Sequence, residues 1–199
     1  MAGNTKEERD KCIGHYPDLE YDLAFVVNSD EDKKYNCIAF AIGYQDIWIA
    51  TGRDIAWFWW PNHIPLDTAP NSLVETFRYF GFEVCNDDLP EAGYDKVALY
   101  QKDGNWTHAA RIIADGVYHS KLGESFDIFH RRGDVMDKAN NPSESYGIPF
   151  VFMKRKYADR SKLVSQKPQP GNMRYKGHDI PFLLPDQCLP GFLASLGVF

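Results

Sequence analysis

A chain of 199 residues, 44% of them apolar, can bury one sizeable core and is short for two full domains. A net charge of −6, with lysine and arginine scattered along the chain, excludes a broad polyanion-binding face, so nucleic acid is not an expected partner. No window approaches the ~18 uninterrupted apolar residues of a membrane span, and the N-terminus lacks a basic stretch followed by an apolar run. The expectation is a cytoplasmic protein without signal peptide or membrane contact, with export by a specialised secretion system left open.

In chain order, residues 1–35 read as a polar, charged segment with one strand-like run, Leu23 to Val27, before the turn signal Asn28-Ser29-Asp30-Glu31-Asp32. Asn36 is a favoured N-cap, because its side-chain oxygen accepts an otherwise unpaired backbone N–H, and this choice puts Cys37 in the first turn of a helix. Ile38, Ala41 and Ile42 then face a core at helical spacing. A second helix is predicted from the capping-box pattern Ser72-Leu73-Val74-Glu75, with Leu73, Phe77 and Phe80 on one face and Gly81 ending it.

Beyond Gly81 the period changes to two. Residues 96–100 read as a strand, Asp103-Gly104 as a hairpin turn, 108–113 as a strand, Asp115-Gly116 as a turn and 117–121 as a strand, with one more over 147–154. Helices first and an antiparallel meander afterwards predict an α+β domain over residues 1–157, N-terminal helices packed on the sheet. Residues 158–199 read as a separate arm: a basic, proline-bearing, aperiodic linker with Lys167-Pro168-Gln169-Pro170-Gly171, then an apolar tail suited to docking on the domain or on a protein partner.

Of the four cysteines, Cys12, Cys37, Cys85 and Cys188, no two form a C-x-x-C pair, and the expectation is reduced thiols. Cys37 alone sits at a predicted helix mouth. There the macrodipole and unpaired N–H groups would lower its pKa from about 8.5 toward roughly 3.5–7.5 and stabilise an oxyanion. His108, followed by the small Ala109 and Ala110, is the matching base, with His119 ranked behind it. The group orienting the imidazole is sought on the following strand. Glu124 falls nearly opposite His108 in a two-residue-turn register; Ser120, a backbone carbonyl and Asp127 are the alternatives, whereas charged Lys121 cannot accept a hydrogen bond.

Asn36-Cys37-Ile38-Ala39-Phe40-Ala41, Trp59-Trp60-Pro61, Thr107-His108-Ala109-Ala110-Arg111 and Ser120-Lys121-Leu122-Gly123 together carry a resemblance, over roughly residues 15–155, to the papain-like cysteine peptidase superfamily in its compact NlpC/P60-type form. They also resemble a sparsely characterised bacterial domain family with N-C-I-A-x-A and T-H-A-A-R motifs. The resemblance implies a papain-like α+β fold and acyl transfer through a thioester. Cys37 would attack the carbonyl of a peptide or other amide, His108 would relay the proton, and the Cys37 N–H would serve the oxyanion.

The leading expectation is thus a cysteine hydrolase, peptidase or amidase, with Trp59 and Trp60 as one cleft wall and Asn36 and Thr107 at the substrate. An amine in place of water would make the same chemistry a transferase. The alternative from another class is a non-catalytic module that holds a protein partner in the aromatic cleft and with the C-terminal tail. Neither cofactor nor metal is expected: Cys37, His63, His108 and His119 offer donor atoms but no close ligand pair.

Overall fold

Asp103 and Gly104 both take positive φ, 51° and 77°, and reverse the chain between Tyr94–Lys102 and Asn105–Ala114. In the computed structural model, which describes residues 4–51, 58–131, 133–161, 171–175 and 178–182, this hairpin is the centre of the domain. In chain order the strands are β1 (Val26–Val27), β2 (Trp48–Ile49), β3 (Phe58–Trp59), β4 (Glu83–Cys85), β5 (Tyr94–Lys102), β6 (Asn105–Ala114), β7 (Val117–Lys121), β8 (Asp127–Arg131) and β9 (Ile148–Lys156). Seven of them form one sheet in the order β1-β8-β7-β6-β5-β9-β4, antiparallel at every pairing, while β2 and β3 form a short parallel pair.

Among the described residues three α-helices accompany the sheet: α1 (Lys6–His15), α2 (Cys37–Ile42) and α3 (Pro70–Tyr79). The fold is α+β, as the run of helices and then strands requires. Helix α2 begins where the asparagine places it. Asn36 Oδ1 accepts from Ala39 N–H at 3.1 Å, and Gly43, at φ 127°, closes the helix six residues later.

Helix α3 departs from the expected start at Ser72. It begins at Pro70, whose missing N–H costs nothing in the first turn, and Ser72 lies inside the helix, donating to Asp67 Oδ1 at 2.6 Å. Leu73, Phe77 and Phe80 are buried together as expected. Helix α1 falls in the segment read as merely polar. Only Cys12 on it is buried, so no apolar stripe announces it; its signature is the Thr5/Glu8 capping box. Of the strand read over 23–27 only Val26–Val27 pairs, and β4 and β8 went unread because each is short and mixed in polarity.

The sheet separates two cores. Val97, Leu99, Ala109 and Met153 pack with α2 and α3 on one face, and the methyl of Ala109 lets α2 lie close across β6. Ala98, Tyr100, Ala110, Ile112 and Tyr118 pack on the other face, continued toward β8 by a cluster of Cys12 from α1, Leu19 from the 3-10 turn Pro17–Tyr21, Leu122 and Ile128. Arg155 of β9, 3% exposed, ties the first core together by donating to Ile42 O, Phe80 O and Asp95 Oδ2. It thereby satisfies carbonyls at the ends of α2 and α3 that have no partner within their helices.

At the boundary between the domain and the stretch read as an aperiodic linker, Tyr157–Ser161 forms a 3-10 turn. Further on, β10 (Gly171–Tyr175) pairs antiparallel with β11 (His178–Phe182) as a hairpin. The tail beyond Phe182, including Cys188, lies outside the described residues. Cys12, Cys37 and Cys85 are free thiols, as expected. No helix among the described residues is long and apolar enough to cross a membrane.

Candidate functional site

Cys37 is the first residue of α2, at 8% exposure. The backbone N–H groups of Ala109, Ile38 and Cys37 itself converge on the sulfur and favour its ionised form, as does the charge of Lys121. Burial outweighs all of them and pushes the thiol up to about 11. The expected acid-shifted thiolate is therefore corrected: at neutral pH the group is a thiol, because desolvation disfavours the anion more than six residues of helix and one lysine favour it.

His108 is fully buried at one end of a hydrogen-bonded chain. Its Nε2 lies 3.0 Å from Ser120 Oγ, Ser120 Oγ lies 2.8 Å from His130 Nε2, and His130 Nδ1 lies 2.7 Å from the carbonyl oxygen of Arg131. A carbonyl only accepts, so His130 Nδ1 carries the proton, and in the neutral ring Nε2 then accepts. The Ser120 hydroxyl accordingly donates to His130 and accepts from His108 Nε2–H. His108 is left with an unprotonated Nδ1, which is buried without a hydrogen-bond partner. Tyr146 stacks on its ring at 4.1 Å and Tyr100 meets it edge-on at 5.1 Å, so the imidazole is held on both sides.

Pleat alternation sets the relation of base and thiol. Ala109 points to the face packed by α2, and His108, paired with Tyr100 on β5, points to the other. The sulfur bridges this difference only as far as the Ala109 N–H; Sγ and the His108 ring are not hydrogen-bonded to each other. Beside the relay, on the His108 face, a cavity of about 490 Å³ is lined by Cys12, Tyr16, Thr107, Leu122, Ser125 and Tyr146.

Of the residues proposed to orient His108, Ser120 does so and Glu124 does not. A register shift between Ile112 and Ala114 pairs Ala110 with Ser120, which carries Glu124 past the end of the ladder, where it is 58% exposed and ion-paired with Lys33 at 3.3 Å. Asp127 instead accepts from Tyr35 Oη at 2.9 Å, and its carboxyl is raised by burial. His119 faces α2, edge-on to Phe40 at 4.8 Å.

The tryptophan wall is also corrected. Trp60 is 2% exposed and stacked on Trp106 at 5.7 Å, while half-buried Trp59 packs on Tyr79 and Phe80 against the core; neither lines the cavity beside the relay. Asn36 is 5% exposed and works within the fold: Oδ1 accepts from Ala39 N–H and Ile49 N–H, and Nδ2 donates to Ile49 O. Thr107 does line the cavity, its hydroxyl donating to Tyr146 O. Among the described residues no group of three metal-ligating side chains occurs. His130 and Tyr146 were missed: His130 lies on β8, whose run Asp127-Ile128-Phe129-His130-Arg131 alternates too briefly to be read as a strand, and Tyr146 comes from a loop.

Buried His108 and half-buried His119 set a pH dependence. Burial, and then the neighbouring His130, holds His108 well below 6.5, and burial with Arg111 and His130 lowers His119 to about 4. Below pH 6.5 the unfolded chain binds protons that the folded one refuses. Stability is then complete above that value and falls on acidification, with a slope approaching about 1.4 kcal/mol per pH unit for each histidine. Urea midpoints at pH 7.5 and 5 measure it; equal midpoints would refute the assignment.

The fold and this site define an α+β, antiparallel-sheet domain with a helix-mouth cysteine and a buried His-Ser-His relay. The chain belongs to the domain of unknown function family DUF7689, whose model matches residues 26–154 and so spans α2, the relay and the whole sheet core. No curated protein and no solved structure matches it.

Proposed function

We propose that this domain is a papain-like cysteine hydrolase of the compact NlpC/P60 type, acting on an amide bond. The observation that carries the reading is the relay, which anchors Nε2 of His108 and leaves the basic Nδ1 unpaired, next in sequence to the residue whose N–H meets the Cys37 sulfur. A neutral thiol and a neutral imidazole are the resting pair. In the reaction Nδ1 takes the thiol proton as sulfur adds to the substrate carbonyl, and the same proton passes to the departing amine when the C–N bond breaks. Water, deprotonated by Nδ1, then hydrolyses the thioester and returns the proton to sulfur.

Resting-state catalytic contacts are often long and tighten with substrate, and here the approach of Nδ1 to sulfur is the step that substrate must complete. The cavity lined by Tyr16, Thr107 and Tyr146 replaces the tryptophan pair as the substrate groove. A second reading, a non-catalytic binding module on the same fold, is favoured by the 8% exposure of Cys37 and its thiol at about 11.

A peptidyl vinyl sulfone separates the two. On the hydrolase reading, peptide mapping of the native protein at pH 7.5 finds Cys37 modified ahead of Cys85, and Cys37→Ala loses that adduct while keeping its fold. A native Cys37 that stays unmodified while half-buried Cys85 reacts would leave the binding module.

A further inference from the structure

A second cavity, of about 400 Å³, lies away from the relay, between the C-terminal end of α2 and strands β5, β6 and β9. Arg111, Arg155 and Arg160 all line it, together with the carboxylates of Asp95 and of Glu91, the latter ion-paired with Lys154 at 2.9 Å. Asp95 alone answers Arg155 and Arg160, accepting from Arg155 Nη2 at 3.1 Å and Arg160 Nε at 2.8 Å. Burial would raise its carboxyl, yet the hydrogen bonds from Arg160 and Arg155 keep it below its usual value. Lys96, on the same wall, is spent on Asp87 at 2.6 Å.

The Arg111 side chain has no hydrogen bond and no ion pair among the described residues. Its guanidinium lies 4.1 Å over the Phe40 ring, and Asp95 and Asp127 favour its charge only from a distance. The aromatic stack fixes the guanidinium plane and leaves its N–H fork free, the form in which arginine takes a two-oxygen acceptor. Pro90, Tyr94 and Tyr157 supply apolar surface beside it. His119, the other titratable group facing Arg111 across the wall, is held neutral and adds no competing charge.

We propose that this cavity binds the oxyanion of a small organic phosphate or carboxylate, with the Arg111 fork as principal donor and Arg160 at its side. The proposal does not require Cys37: Cys37→Ala should bind the anion as the wild type does, whatever becomes of the hydrolase reading.

Titration of the ¹⁵N-labelled protein with inorganic phosphate, phenyl phosphate and benzoate tests it. Saturable shifts should appear at the amides of Gly43 and Arg111, with a rise in Tm that grows with ligand concentration. Preference for the two phosphates identifies a phosphorylated ligand; preference for benzoate, a carboxylated one.

Arg111→Gln should weaken binding about tenfold or more, and Arg111→Lys, which keeps the charge but loses the fork, by less. Arg160→Gln, at the accessible side, should weaken it severalfold and guards against loss of fold at position 111. Absence of saturable shifts with all three anions, or equal affinity in wild type and Arg111→Lys and Arg160→Gln, would overturn the assignment.

Discussion

His108→Ala should slow acylation of Cys37 by about 10²–10⁴-fold, the usual contribution of a positioned general base. Ser120→Ala should cost about 10–100-fold, as for outer partners that hold a reactive imidazole. The order follows from the relay: the first variant removes the base, the second only its anchor. Rates of Cys37 adduct formation with the vinyl sulfone give the ranking.

A merely structural Ser120 is excluded by a second readout. Imidazole ¹⁵N shifts should report His108 protonated at Nε2 in the wild type and a mixture of tautomers in Ser120→Ala, since Ser120 is the hydrogen-bond partner that distinguishes the two nitrogens. Equal modification rates for the wild type and a folded His108→Ala would remove His108 from the chemistry.

Gly147→Ala should be the most damaging single methyl in the domain. Gly147 sits at φ 68°, and a Cβ there would stand 2.1 Å from Gln101 O and 2.8 Å from Gln101 C, both backbone atoms of β5. Neither can swing aside as a side chain would, so the left-handed backbone penalty adds to overpacking and the loss should reach about 2–5 kcal/mol.

Gly116→Ala is the control. Its φ is similar, 63°, but open space surrounds the new methyl, so it should cost only about 1–2 kcal/mol. Urea denaturation of both variants measures the difference, and a Gly147→Ala protein no less stable than Gly116→Ala would show that β5 gives way freely. The position matters to the site because Gly147 directly follows Tyr146, whose ring lies against His108.

The local features of the site were legible in the sequence. Asn36 caps α2 and puts Cys37 in its first turn, and the Asp-Gly turns delimit β5, β6 and β7, because caps and tight turns depend on backbone groups only a few residues away. His108 and Ser120 could be placed on adjacent strands for the same reason.

Glu124 could not be judged this way. A single irregularity between Ile112 and Ala114 moved the register by one residue, and one residue is enough to exchange the neighbours of a whole strand. The tryptophans illustrate another limit. Composition marks them as able to line a groove, but the stacking of Trp60 on Trp106 reveals that residue as core.

By itself, the sequence determined the helix mouth and the meander, both consequences of short-range hydrogen bonding and periodicity. The tertiary structure alone decided the state of the titratable groups. Burial, which sums contributions from many distant segments, turned the expected thiolate into a thiol; a histidine on the unread β8 selected the tautomer of His108; and the Arg111 guanidinium packs on Phe40 with no ion pair among the described residues. Desolvation and charge balance are properties of the assembled volume, and no window of the chain contains them.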